Sequence, residues 1–126
     1  MTAIVIRCGE IFLTAELNDS ETALKVAGVL PITSEVGCWG GEIFFEIRVA
    51  AGLADDARDV MQPGEIAYWP PGKALCVFWN RTPSSRGEEI RAASPVNPVG
   101  RVTGGGGAVG TLAAARQGDT IVVERI

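Results

Sequence analysis

The chain has 126 residues, of which 47% are hydrophobic, 21% charged and 6% aromatic, an ordinary globular composition at a length that builds a core without disulfides or metal. Its 11 Lys and Arg against 15 Asp and Glu leave a net charge of −4, and there is no histidine. That excludes a Ser-His-Asp triad, a Cys-His dyad and any His-ligated metal, and a mildly acidic chain without a basic run is a poor partner for nucleic acid or an anionic membrane.

Taken in chain order, Ala3 to Arg7 is β-branched and aliphatic, and Cys8-Gly9-Glu10 marks a turn. Ile11, Leu13, Ala15 and Leu17 then alternate with Phe12, Thr14 and Glu16, which predicts a hairpin with one buried face. Asn18-Asp19-Ser20 offers helix-capping oxygens and Glu21 suits the first turn. Leu24, Ala27 and Leu30 are expected to form the apolar helix face before Pro31 stops the helix. From Glu42 to Val49 the pattern alternates, with Ile43, Phe45, Ile47 and Val49 on one side and Glu42, Phe44, Glu46 and Arg48 on the other. Ala51 to Pro63 reads as a solvated loop. Glu65 to Trp69 and Ala74 to Asn80 read as strands around Pro70-Pro71-Gly72. Arg81 to Pro95 reads as a polar loop, and Val96 to Val102 as a strand whose Pro98 suits an edge, a bulge or an end. A glycine tract at 104–107, a short helix over Leu112–Arg116 and a closing strand over Thr120–Ile126 complete the chain. Many strands with one early and one late helix predict a barrel or sandwich with peripheral helices, in one domain over residues 1–126.

No apolar run approaches the roughly 20 residues of a membrane helix. Met1 to Glu10 lacks a basic segment followed by a long apolar one, so no secretory signal is expected. Cys8, Cys38 and Cys76 are odd in number, widely spaced and without a CxxC motif. They are expected to be free thiols in a cytoplasmic protein with no metal and no cofactor. Gly105 to Gly110 satisfies GxGxxG, but a dinucleotide fold needs a parallel βαβ core, and the strands upstream read as antiparallel hairpins.

The candidate site is aromatic. Tyr68-Trp69-Pro70-Pro71-Gly72-Lys73 sets two rings before a rigid turn, with Lys73 offering a cation. Trp39, between Gly37-Cys38 and Gly40-Gly41, makes a shared pocket reasonable. Glu42 and Glu46 share a strand face with Phe44. A desolvated carboxyl there could do acid–base work, although such a row is more often the wet side of a strand. Cys76 has no base near it in sequence and reads as a packing residue.

The string Gly64-Glu65-Ile66-Ala67-Tyr68-Trp69-Pro70-Pro71-Gly72-Lys73-Ala74-Leu75-Cys76-Val77-Phe78, with Arg81-Thr82-Pro83 and Ala93-Ser94-Pro95-Val96-Asn97-Pro98-Val99-Gly100, resembles the small prokaryotic cyclophilin-like proteins. The likeness extends upstream through Trp39-Gly40-Gly41-Glu42-Ile43-Phe44-Phe45 and the helix start at Glu21-Thr22-Ala23. It implies a closed antiparallel β-barrel flanked by helices. It also implies an altered version of the outer groove in which true cyclophilins twist X-Pro bonds with an arginine, a glutamine and a phenylalanine. Trp39 to Phe45, where the arginine belongs, has none; Ala74 stands for the glutamine, Cys76 for the phenylalanine, and Trp69 replaces a small rim residue. The resemblance therefore implies a barrel that binds a small molecule or short peptide through Trp39, Glu42, Phe44, Tyr68, Trp69, Lys73 and Cys76. Its alternatives are a prolyl isomerase with a rearranged site and an accessory subunit of an amide-hydrolysing enzyme.

Overall fold

In the computed structural model, which describes residues 1–105 and 108–126, β1 (Thr2–Cys8) and β2 (Ile11–Leu17) form the expected hairpin about Gly9, whose φ of +59° suits a residue without a Cβ. Ile11, Leu13, Ala15 and Leu17 are all buried. Helix α1 (Glu21–Gly28) follows. Ser20 caps it, its Oγ accepting from the Ala23 amide at 3.2 Å.

The helix buries Thr22, Ala23, Val26 and Ala27, not the expected stripe, and Leu24 is 57% exposed. The helix ends at Gly28, so Leu30 reaches the core from the segment after it and the Leu24–Ala27–Leu30 spacing never lies on one helix.

The remaining strands are β3 (Ile32–Glu35), β4 (Gly37–Cys38), β5 (Glu42–Glu46), β6 (Arg58–Met61), β7 (Glu65–Trp69), β8 (Ala74–Phe78), β9 (Ile90–Gly105) and β10 (Thr120–Arg125). They pair in the order β3-β10-β1-β2-β9-β7-β8-β5-β4, with β6 attached to β9, and each of these pairings is antiparallel.

The expected closed barrel is corrected here: the sheet curls but does not close. Its two end strands, β3 and β4, are consecutive in the chain and are joined through buried Val36. In place of a ladder across the seam, the Ser34 hydroxyl donates to the Glu46 carbonyl at 2.8 Å. The Val36 amide meanwhile turns to the Asp119 carbonyl at 2.9 Å.

Alternation along the strands separates two apolar clusters. Ile43 and Phe45 of β5, Ile66 and Tyr68 of β7, and Leu75 and Val77 of β8 face the main core, which Ile47 and Val49 also enter. Phe44, Ala67, Cys76 and Phe78 face the other way, and there they meet Met61, Ile90, Ala92 and Val96. Of these, Met61, Ile90 and Ala92 come from segments expected to be loops, whereas Val96 begins the expected strand. The run 51–63 contains β6, and 81–95 contains the start of β9. Pro98 lies at a register shift, with Ala67 opposite Pro98 and Ile66 opposite Gly100, so a bulge absorbs the missing amide donor.

The late helix, expected over Leu112–Arg116, is a 3₁₀ segment over Ala108–Ala114. Of the GxGxxG motif, Gly106 and Gly107 lie outside the described residues. Among the described residues no helix is long and apolar enough to cross a membrane.

Candidate functional site

The site is built on the outer side of β5, β7 and β8. Glu42 pairs with Phe78 and Phe44 with Cys76 across β5 and β8, so Glu42 and Cys76 are diagonal neighbours on one face. The turn before β5 is a pair of glycines for two reasons. Gly40 has φ +60°, and a Cβ on Gly41 would fall 2.3 Å from the backbone carbon of Asn80. Across this turn the Trp39 amide donates to the Glu42 carbonyl at 2.9 Å, which sets the two residues at its ends.

Two further glycines make room for rings. A Cβ on Gly37 would lie 2.3 Å from the Phe44 ring, and one on Gly72 would lie 2.6 Å from the six-membered ring of Trp69. The indole N–H of Trp69 donates to the Ser94 hydroxyl at 2.7 Å, which ties the end of β7 to β9.

Trp39, Phe44 and Trp69 thereby wall a pocket of about 170 Å³, with Ala92, Ala93 and Val96 of β9 on another side and Glu42 and Cys76 completing it. A dry cavity of about 150 Å³ holds one benzene ring, which sets the scale of an occupant.

Glu42 is the one charged side chain among the described residues of this lining. It is only 5% exposed, and its Oε1 is buried without a hydrogen-bond partner. Burial pushes its carboxyl up to about 7, while a hydrogen bond from the Cys76 thiol acts in the opposite direction. The Cys76 thiol is itself raised well above its ordinary value, first by burial and then by the Glu42 charge and hydrogen bond. A thiol so disposed is not a nucleophile at neutral pH. All three cysteines, Cys8, Cys38 and Cys76, are free.

Of the candidate residues, Tyr68 and Lys73 stand apart from the pocket. Tyr68 points to the main core, fully buried, with its hydroxyl donating to the Val49 carbonyl at 2.5 Å. Strand alternation dictates this, because Trp69 and Tyr68 are adjacent and must face opposite sides. Lys73 is exposed in a left-handed conformation, φ 48°, that ends the Pro70–Gly72 turn.

The family model described as cyclophilin-like matches residues 2–124. The chain belongs to the cyclophilin-like family. No curated protein matches it. Among solved structures it is similar to the hypothetical protein AF2241 from Archaeoglobus fulgidus, a solution structure with 37% sequence identity and a TM-score of 0.83. That alignment covers 99% of this chain and 95% of the archaeal one.

Within this cyclophilin-like chain, residue-by-residue reading missed Ala92 and Ser94. Small side chains carry no chemical signal, and only their place in β9, opposite Trp69, brings them to the site. Among the described residues the pocket lining contains no arginine.

Proposed function

We propose that this cyclophilin-like protein is a binding domain that receives a small molecule, or one side chain of a short peptide, in the outer pocket. The observation supporting this reading is the combination of three aromatic walls with a buried carboxyl oxygen, Glu42 Oε1, that has no hydrogen-bond partner among the described residues. A buried polar atom without a partner is costly, and a ligand donor would remove that cost. Gly37 and Gly72 support it as well, since each forgoes a side chain where a pocket ring lies.

The test is tryptophan fluorescence during titration with benzyl alcohol, a single-ring probe carrying one donor. Saturable quenching is expected, and it is expected to disappear in Trp69→Ala with the far-UV circular dichroism unchanged. Quenching that stays linear in probe concentration, or that is unaltered by the substitution, would overturn the assignment.

A further inference from the structure

The pocket joins an apolar, aromatic enclosure to a single acidic group, and that pairing restricts the charge of its occupant. This inference rests on the binding reading above. We propose that the pocket selects a small organic monocation, an ammonium group borne on an apolar body about the size of one aromatic ring.

Four observations carry it. The lining has a carboxyl at Glu42 and no lysine or arginine among the described residues, so once Glu42 is ionised the site offers one negative charge and no internal counter-ion. None of the ion pairs among the described residues involves Glu42, in contrast to Glu65 with Arg58 and Glu89 with Arg91. Glu42 Oε1 is buried and without a partner, and it can only accept a hydrogen bond when ionised. The lining includes three aromatic rings, Trp39, Phe44 and Trp69, and aromatic rings attract cations, most strongly where water is excluded.

With Glu42 ionised, as it is at pH 8, a neutral donor would satisfy the orphan oxygen but leave the carboxylate uncompensated in apolar surroundings. An anion would add like charge. Only a cation supplies both the donor and the missing charge. The terminal torsion of a glutamate side chain is broad, so the carboxyl can turn either oxygen toward an ammonium without leaving its position on β5.

The ammonium could be free or carried by a lysine side chain of a peptide, and the two sources share this chemistry. Calorimetry at pH 8 with benzylammonium, benzyl alcohol, benzoate and N-acetyl-lysine amide separates the cases. Benzylammonium is expected to bind at least about tenfold more tightly than benzyl alcohol, and benzoate is expected not to bind. Tighter binding of N-acetyl-lysine amide than of benzylammonium would mark a peptide-borne ammonium as the source; the reverse order would mark a free amine.

In Glu42→Gln the two benzyl ligands are expected to bind equally, because the amide keeps the shape and hydrogen-bonding ability but removes the charge. Equal affinity of benzylammonium and benzyl alcohol for the unaltered protein would overturn the charge selectivity while leaving a ligand pocket standing. Preserved ammonium preference in Glu42→Gln would overturn the role of Glu42. Absence of binding by all four ligands would overturn both this inference and the binding reading beneath it.

Discussion

Glu42 makes the chain's stability depend on pH in a direction opposite to that of a paired carboxylate. Its folded-state value near 7 lies above the ordinary 4.5, because burial removes water that the charge would need. Between those two values the folded protein still holds a proton that the unfolded chain has released, so stability falls as pH rises through this window. The full shift corresponds to roughly 3 kcal/mol lost by pH 8. Glu42→Gln is expected to match the unaltered protein in urea denaturation at pH 4.5 and to exceed it at pH 8 by up to about that amount. Parallel pH profiles for the two proteins would contradict this. Sequence alone exposed Glu42 as a candidate but placed it on a face that is usually wet. It lines the pocket with Ala92 and Ala93, from a segment that read as a polar loop: there Arg91 pairs with Asp59 and Glu89, which leaves Ile90 and Ala92 to pack inward.

At the scale of elements, the strongly alternating segments were legible and the irregular ones were not. The hairpin of β1 and β2, the strand cores of β5, β7 and β8, and the capping role of Ser20 follow from period and local chemistry. The long β9 follows only in its Val96–Val102 part, because two prolines and three register shifts interrupt its pattern, and what holds it is non-local. Asn97 shows how. Its side chain is 1% exposed, donates to Thr22 Oγ1 at 3.1 Å and to the Gly52 carbonyl at 2.9 Å, and accepts from the Ala54 amide at 2.8 Å. It thus ties β9 to α1 and to the segment after Val49. Asn97→Ala would strand these groups in a buried setting. A loss of about 2–4 kcal/mol in chemical denaturation is expected, against well under ~1 kcal/mol for Thr103→Ala on an exposed part of the same strand. Similar small losses at both positions would contradict the buried tie.

For the molecule as a whole, the family and the mainly antiparallel β-architecture were readable from motif strings and alternation, whereas closure was not. Whether a curled sheet completes its ladder depends on a few backbone groups at its seam, and here the Val36 amide is taken by Asp119. Nor does a shared fold carry a shared activity. Rotation about an X-Pro bond faces a barrier of ~18–20 kcal/mol, and losing one preorganised donor typically costs on the order of a hundred- to a thousandfold in rate. With no arginine among the described pocket residues, negligible acceleration is expected in a protease-coupled proline-peptide assay, and turnover at the level of an efficient isomerase would contradict it.

The central claim, that the outer pocket is the binding site, is tested most directly by the three tryptophans, whose indole N–H resonances report from different places. Trp39 and Trp69 line the pocket, while Trp79 packs against the main core. In a proton–nitrogen correlation spectrum recorded during titration with benzylammonium and, separately, benzyl alcohol, the Trp39 and Trp69 signals are predicted to shift saturably with at least one probe while Trp79 stays in place. Shifts confined to Trp79, or no saturable shift at Trp39 and Trp69 with either probe, would contradict the account.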